Sequence, residues 1–409
     1  MGRGLVESAR RVAQLDSLRG IAALLVVLHH SRQAFINDVN DATTGLSAYL
    51  DMGRLGVVIF FIISGFVIVK AVPGHGPRSV GLFWKHRFFR LFPAFWISVI
   101  LATIVAQLVA GSQCCAFATP VSRDIVLANM TMIPLRLHEP MLIGVYWSLE
   151  LELFFYALIS AIALAGRNVG QNGARTVTLT AFGMFFAAIV AAGATAIREG
   201  TGEIGKDQMF LALLHLSLMF AGSALRYHWD GTPRRETFLR DMPVALKAYL
   251  FLQLGFFVGV AAIKMRHGIE PHTFRVAATY LLGIGGFLWC LRSFDGSWLG
   301  TVLGNRSYGI YLIHVPVMSL LSYAIARSVL PPLGYATYLI ATLAVTMLLA
   351  DLMRRFVERP AIRLGHLHDR WVSNRRVLTV VAPPVAALAV EPIPAPANDA
   401  LAGPSTQQA

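Results

Sequence analysis

About ten apolar runs of roughly twenty residues recur along this chain, and nothing else in the sequence constrains its fold as strongly. They fall near 18–36, 55–73, 92–111, 143–165, 176–197, 209–225, 244–264, 275–292, 303–325 and 333–355. A helix rises about 1.5 Å per residue, so each run is long enough to cross about 30 Å of hydrocarbon. Lipid offers no partners for backbone N–H and C=O groups, which leaves helices as the natural conformation for such runs. Only 14% of the residues are charged, against about 25% in soluble domains. The expected class is all-α: a polytopic transmembrane helix bundle.

Lysine and arginine number 35 against 22 acidic residues, a net charge of +13. Such an excess can serve nucleic acid, but its distribution argues for a lipid bilayer as the partner and against nucleic acid. The clusters Arg3/Arg10/Arg11, Lys70 to Arg90, Arg226 to Arg240 and Arg354 to Arg376 all fall on one side if the N-terminus is inside. The first loop of the other side carries Asp38, Asp41 and Asp51. This positive-inside pattern predicts cytoplasmic termini, and only the loop with Lys264, Arg266 and Arg275 fits it badly. The first apolar run is interrupted by Arg19 and has no small-residue cleavage site, so no cleavable signal is expected. Adjacent Cys114 and Cys115, with Cys290 inside a span, imply neither a disulfide framework nor a metal site.

Residues 1–14 read as a basic cytoplasmic segment, 15–366 as one membrane domain and 367–409 as a cytoplasmic tail. Ala382-Pro383-Pro384 and the Pro-rich run from Glu391 to Pro396 make that tail a candidate for disorder from about residue 377.

Ionisable groups inside apolar segments are costly unless paired or facing a wet cavity, and so point to function. Arg19 and His30 are eleven residues apart in the first span. They share a helix face, about 16 Å from one another along the axis. Ser64-Gly65 in the second span suits close helix packing. Arg87 and Arg90 lie in a cytoplasmic loop rich in aromatics. They read equally as an interfacial anchor or as two guanidiniums, three residues apart on a short helix, forking onto phosphate. Ser148 could cap the fourth span, whose Glu150 and Glu152 point about 200° apart and cannot face one site. His314 in the ninth span suits a packing or a cavity role, and His215 reads as packing.

Together these segments resemble the acyltransferase 3 family of integral-membrane acyltransferases, whose members include enzymes that O-acetylate bacterial surface polysaccharides. The D-x-L-R-G-x-A-A pattern with its histidine matches at Asp16, Arg19, Gly20 and His30, and G-V-x-x-F-F-x-x-S-G-F from Gly56 to Phe66. The R-x-x-R pattern falls on Arg87 and Arg90, and W-S-L-x-x-E-x-x-F-Y on Trp147 to Tyr156 with Glu152 as its acid. S-Y-x-x-Y-L-x-H-x-P runs from Ser307 to Pro316, and E-R-P is Glu358 to Pro360. Six matches in order over about residues 15–360 carry the resemblance. The chain departs from it at Val58, where many relatives are acidic, at Glu150, where a small residue is usual, and at His29, where an apolar one is.

The resemblance implies a multi-pass protein of the bacterial inner membrane. It implies transfer of an acyl group, most simply acetyl from acetyl-CoA, to a hydroxyl of a carbohydrate acceptor, with no metal. A hydroxyl needs a base near neutral pH, which points to His30 as base or transient acyl acceptor. Glu152 is then the group expected to orient its ring, and Arg19 a source of positive charge for the intermediate or the donor. Arg87 and Arg90 are expected to bind CoA phosphates, and Tyr311, His314, Trp147 and Ser64 to line the substrate cavity. A transporter or flippase uses buried charges equally naturally. A small lipophilic acceptor such as a macrolide, or succinyl transfer to a glucan, keeps the same chemistry.

Overall fold

The computed structural model describes residues 2–36, 49–72, 74–110, 121–168, 170–199, 208–232, 235–266 and 271–367. Among them there is no strand. The helices, in chain order, are α1 (Gly2–Ile36), α2 (Met52–Ile68), α3 (Pro77–Leu108), α4 (Arg123–Met130), α5 (Trp147–Leu164) and α6 (Gly170–Glu199). They continue as α7 (Gln208–Gly231), α8 (Val244–Arg266), α9 (Pro271–Ser293), α10 (Trp298–Gly304), α11 (Ser307–Ala326) and α12 (Tyr335–Met353). Two units are distinguished, Met1–Gly365 and His366–Ala409. Nearly all of the second, with the tail expected to be disordered, lies outside the described residues, as do Asp38, Asp41, Cys114 and Cys115.

Among the described residues, eight helices are long and apolar enough to cross a membrane. The other two expected spans are α1 and α2. In α1 the apolar stretch is broken by Arg19, His29, His30 and Arg32, and α2 has 17 residues. These two helices, one broken by ionisable residues and the other apolar but short, pack against one another within the bundle. Helix α2 packs on α1, α7 and α9 and is buried at Val57, Val58, Phe61, Ile62 and Phe66, whereas α8 exposes Phe251, Leu252 and Val258.

Three expectations are corrected. Arg87 and Arg90 are not in a loop or on a short helix: α3 starts at Pro77 and runs unbroken through Pro93 for 32 residues. Proline forfeits one rung of the ladder, yet flanking bonds and aromatic stacking of Phe88 on Phe92 carry the helix past it. The ninth span begins later than expected, at Ser307, and runs as one helix to Ala326, while residues 303–304 end the separate short helix α10. Ser297 caps α10 by accepting from the Gly300 N–H at 3.0 Å, and the chain breaks at Asn305–Arg306 before α11. Lastly, Ser148 is not a cap. It lies inside the first turn of α5, where its Oγ sits 2.6 Å from the Tyr311 hydroxyl and 3.2 Å from the Val145 carbonyl oxygen.

The packing reading of Gly65 holds. A Cβ built there would stand 1.7 Å from the Met219 carbonyl oxygen of α7, and Ser223 donates to the Gly65 carbonyl at 3.0 Å. Backbone meets backbone, so no side chain can yield. Gly65→Ala is expected to cost about 3 kcal/mol by forcing α2 from α7. Thermal unfolding of the purified protein checks this, with an unchanged midpoint as the contrary outcome.

Candidate active site

The residues singled out along α1 belong to two separate polar clusters. At one end Arg19 pairs with Asp16 at 3.5 Å, and Arg90, Glu152 and Tyr156 are its other electrostatic neighbours. Glu152 accepts from Ser64 Oγ at 2.7 Å and from the Tyr156 hydroxyl at 2.6 Å. Arg87 lies near Tyr156 and against the Phe83 ring, and its buried Nε has no hydrogen-bond partner among the described residues. Glu358 closes this end, facing Arg90 and Arg354 from a π-helical turn over Arg354–Glu358. Tyr308 also faces Glu358, Glu152 and Arg90 while its hydroxyl donates to the Leu91 carbonyl oxygen at 2.9 Å. Four arginines here face fewer carboxylates, which favours an anionic ligand.

At the other end the His30 ring stacks on His314, with centroids 5.3 Å apart, and meets His29 edge-on at 5.2 Å. His314 is fully buried; its Nδ1 lies 3.1 Å from the Ile310 carbonyl oxygen, and its Nε2 has no partner among the described residues. Beside these rings is a cavity of about 190 Å³, lined by His30, His29, Trp147, Tyr311, Asp51 and His215 among others. The Tyr311 hydroxyl donates to the Val145 carbonyl oxygen at 2.8 Å, which fixes the ring at the cavity wall.

Glu152 is therefore not placed to orient His30. Among the described residues its hydrogen bonds go to Ser64 and Tyr156, and the groups that face His30 are His314, His29 and Asp51. Ser64 shares that fate: it serves Glu152 rather than the cavity. Trp147 and Tyr311 do line the cavity, and His314 stands behind His30. Glu150 points away from Glu152, as its spacing requires, and pairs with Arg136 at 3.3 Å.

Sequence reasoning missed the carboxylate of the second cluster. Asp51 caps α2 by accepting from the Arg54 N–H at 2.9 Å, and its oxygens lie 3.7 Å from His29 Nδ1, 3.5 Å from Arg54 Nε and 3.3 Å from the Arg275 guanidinium. Burial pushes this carboxyl up, but His29, the Arg54 N–H, and the Arg54 and Arg275 guanidiniums outweigh burial and hold it below its ordinary 3.8. Arg275, the residue that fitted the charge pattern badly, is thus the counter-ion of a buried cap. No group of three or more His, Cys, Asp or Glu among the described residues is arranged to hold a metal.

A family profile described as an acyltransferase domain, acyltransferase 3, matches residues 12–351. The chain belongs to this family of acyltransferases. Among curated relatives, it is 25% identical over 379 residues to the putative peptidoglycan O-acetyltransferase YrhL of Bacillus subtilis, covering 86% of this chain and 55% of that protein. It is 21% identical over 388 residues to the peptidoglycan O-acetyltransferase OatA of Listeria monocytogenes, covering 88% and 57%. With the acyltransferase MdmB of Streptomyces mycarofaciens it shares 24% over 385 residues, covering 87% and 92%. The chain thus spans little more than half the length of the first two. No solved structure matches it.

Proposed function

We propose that this protein is a multi-pass O-acyltransferase of the bacterial inner membrane, with both termini cytoplasmic. It moves acetyl from acetyl-CoA to a hydroxyl of a cell-surface carbohydrate. The carrying observation is that one helix, α1, joins an arginine-rich cluster at Arg19 to a histidine-lined cavity at His30. By the positive-inside pattern the arginine end is cytoplasmic, where acyl-CoA is available. Arg87, Arg90 and Arg19 hold the donor's phosphates, and the unpartnered Arg87 Nε suits an anion. The extended arm of CoA then carries the thioester along α1 toward His30. The names of the relatives, peptidoglycan O-acetyltransferases among them, support the acceptor class.

At the cavity His30 takes the proton of the acceptor hydroxyl while its oxygen bonds to the thioester carbonyl carbon. The tetrahedral intermediate collapses, the C–S bond breaks, and the sulfur leaves with the proton His30 had accepted. Attack by His30 itself, through a transient acyl-imidazole, uses the same neighbours. His314 backs the His30 ring, and His29 with Asp51 places a negative charge near the imidazolium formed. Glu152 balances the arginines of the donor end rather than the base.

Two tests follow from this division. Replacing Arg87 and Arg90 together by alanine is expected to raise the KM for acetyl-CoA by about tenfold or more. The acceptor KM stays unchanged in steady-state assays, and a rise in acceptor KM alone contradicts the donor assignment. In cells, mass spectrometry of surface polysaccharide with and without the protein is expected to differ by acetyl groups on the glycan. Identical acetylation in both contradicts the proposed reaction.

A further inference from the structure

A second cavity, of about 600 Å³, takes no part in the mechanism above and shares no lining residue with the one at His30. It lies where the start of α6, the end of α7 and the approach to α8 meet, on the side that the charge pattern makes cytoplasmic. Its size is that of a ligand pocket rather than a packing defect.

The lining is apolar in depth and along one edge. Ala224 and Leu246 are buried, and Leu179 carries the apolar surface outward. Leu179 belongs to the membrane-crossing stretch of α6 and is 59% exposed, so the groove opens beside lipid. Tyr227 is a fixed wall. Its hydroxyl donates to the Asn168 carbonyl oxygen, Lys70 Nζ stands 4.7 Å from its ring centroid, and Gly173 has no Cβ to push it away. The groove is thus formed before anything enters it.

The charges at this end are unevenly committed. Asp241 of the lining is paired with Arg240 at 3.1 Å, and His228 Nε2 lies 2.7 Å from the Phe238 carbonyl oxygen. Close by, Lys70 and Arg226 share Asp230, and Arg235 holds Asp295. Arg175 is exposed on the groove wall with no carboxylate partner among the described residues.

An uncommitted guanidinium over an apolar trough, at the depth of the headgroups, fits a molecule with an anionic head and a hydrocarbon chain. We propose that this groove holds an anionic phospholipid of the cytoplasmic leaflet, its phosphate on Arg175 and the start of its acyl chain against Leu179, Ala224 and Leu246. A soluble phosphate ester uses the guanidinium but leaves the apolar wall wet, and a zwitterionic lipid brings a second cation to the rim. In place, the lipid fills the gap between α8 and the α6–α7 pair and so stabilises the fold. No part of this depends on the transferase reading.

The test uses the full-length protein in detergent micelles holding equal amounts of phosphatidylglycerol and phosphatidylcholine, with retained lipid read by native mass spectrometry. Phosphatidylglycerol is expected to be retained about fivefold over phosphatidylcholine, and Arg175→Gln to abolish that preference. Ala245→Trp, at an exposed position of the lining, obstructs the groove and is expected to lose the retained phosphatidylglycerol. Arg78→Gln removes an exposed cation at the start of α3, outside the groove, and is expected to keep the preference. Equal retention of the two lipids by the parent protein overturns the proposal, as does unchanged retention in Ala245→Trp. A preference that falls equally in Arg78→Gln and Arg175→Gln reports surface charge alone and overturns it too. Thermal unfolding gives a separate reading. Phosphatidylglycerol is expected to raise the midpoint of the parent protein but not of Arg175→Gln, and inorganic phosphate to raise neither. An equal rise with inorganic phosphate assigns Arg175 to a soluble anion and rules out the lipid.

Discussion

His30→Ala is expected to lower kcat/KM for acetyl transfer by about a thousandfold while leaving the protein folded. Loss of a general base removes about 10²–10⁴ in rate, and loss of an acyl acceptor removes at least as much. Folding survives because the ring makes no hydrogen bond with the described residues and is only partly buried. Truncation therefore leaves no buried polar group newly unpaired. His314, buried and stacked on the far face of His30, cannot take over from where it is held. The check is turnover alongside a thermal unfolding profile. A variant with the parent midpoint and a rate within tenfold of the parent removes His30 from the chemistry.

Asp51→Ala is expected to be the most damaging single change to stability, at about 3–5 kcal/mol. The carboxylate is the counter-charge for Arg54 and Arg275, a partner to His29 and the cap of α2. Its removal leaves two buried guanidiniums facing one another and an orphaned helix start. Asp51→Asn retains a capping oxygen and is expected to recover only the capping share, about 1 kcal/mol. The depressed carboxyl also predicts acid lability. Its stabilisation is complete above the ordinary value of 3.8 and is lost as pH falls through its lower folded value. Unfolding midpoints of both variants across acid pH check this. Asp51→Ala unfolding at the parent temperature would show the network to be ornamental.

Much of this was legible in the chain. Apolar runs announced the helices, and the spacing of Arg19 and His30 placed two chemistries at opposite ends of one face. The same helical geometry separated Glu150 from Glu152, which now pair with Arg136 and with Ser64 and Tyr156. What failed was the partner of Glu152. A helix face tells which way a side chain points, not which neighbouring helix lies there. The four-residue spacing to Tyr156 was nevertheless available as a local signal. Asp51 with Arg275, 224 residues apart, and Ser64 with Glu152, 88 apart, depend on helix packing order, which no local pattern encodes. His215 had no motif at all, and its place on the cavity wall beside Phe61 and Trp147 follows only from how the helices pack. Arg275 carried a hint of its own, since a cation that breaks the charge pattern of its loop needs a buried partner.

The most direct measurement follows radiolabelled acetyl from acetyl-CoA in proteoliposomes of the purified protein, with a β-1,4-linked N-acetylhexosamine oligosaccharide as acceptor and the His30→Ala variant beside it. Label moving into the glycan with the parent protein, and staying in CoA with the variant, is the predicted result. Label that remains in CoA in both, or enters the glycan equally in both, contradicts the proposal that the cavity at His30 performs acyl transfer.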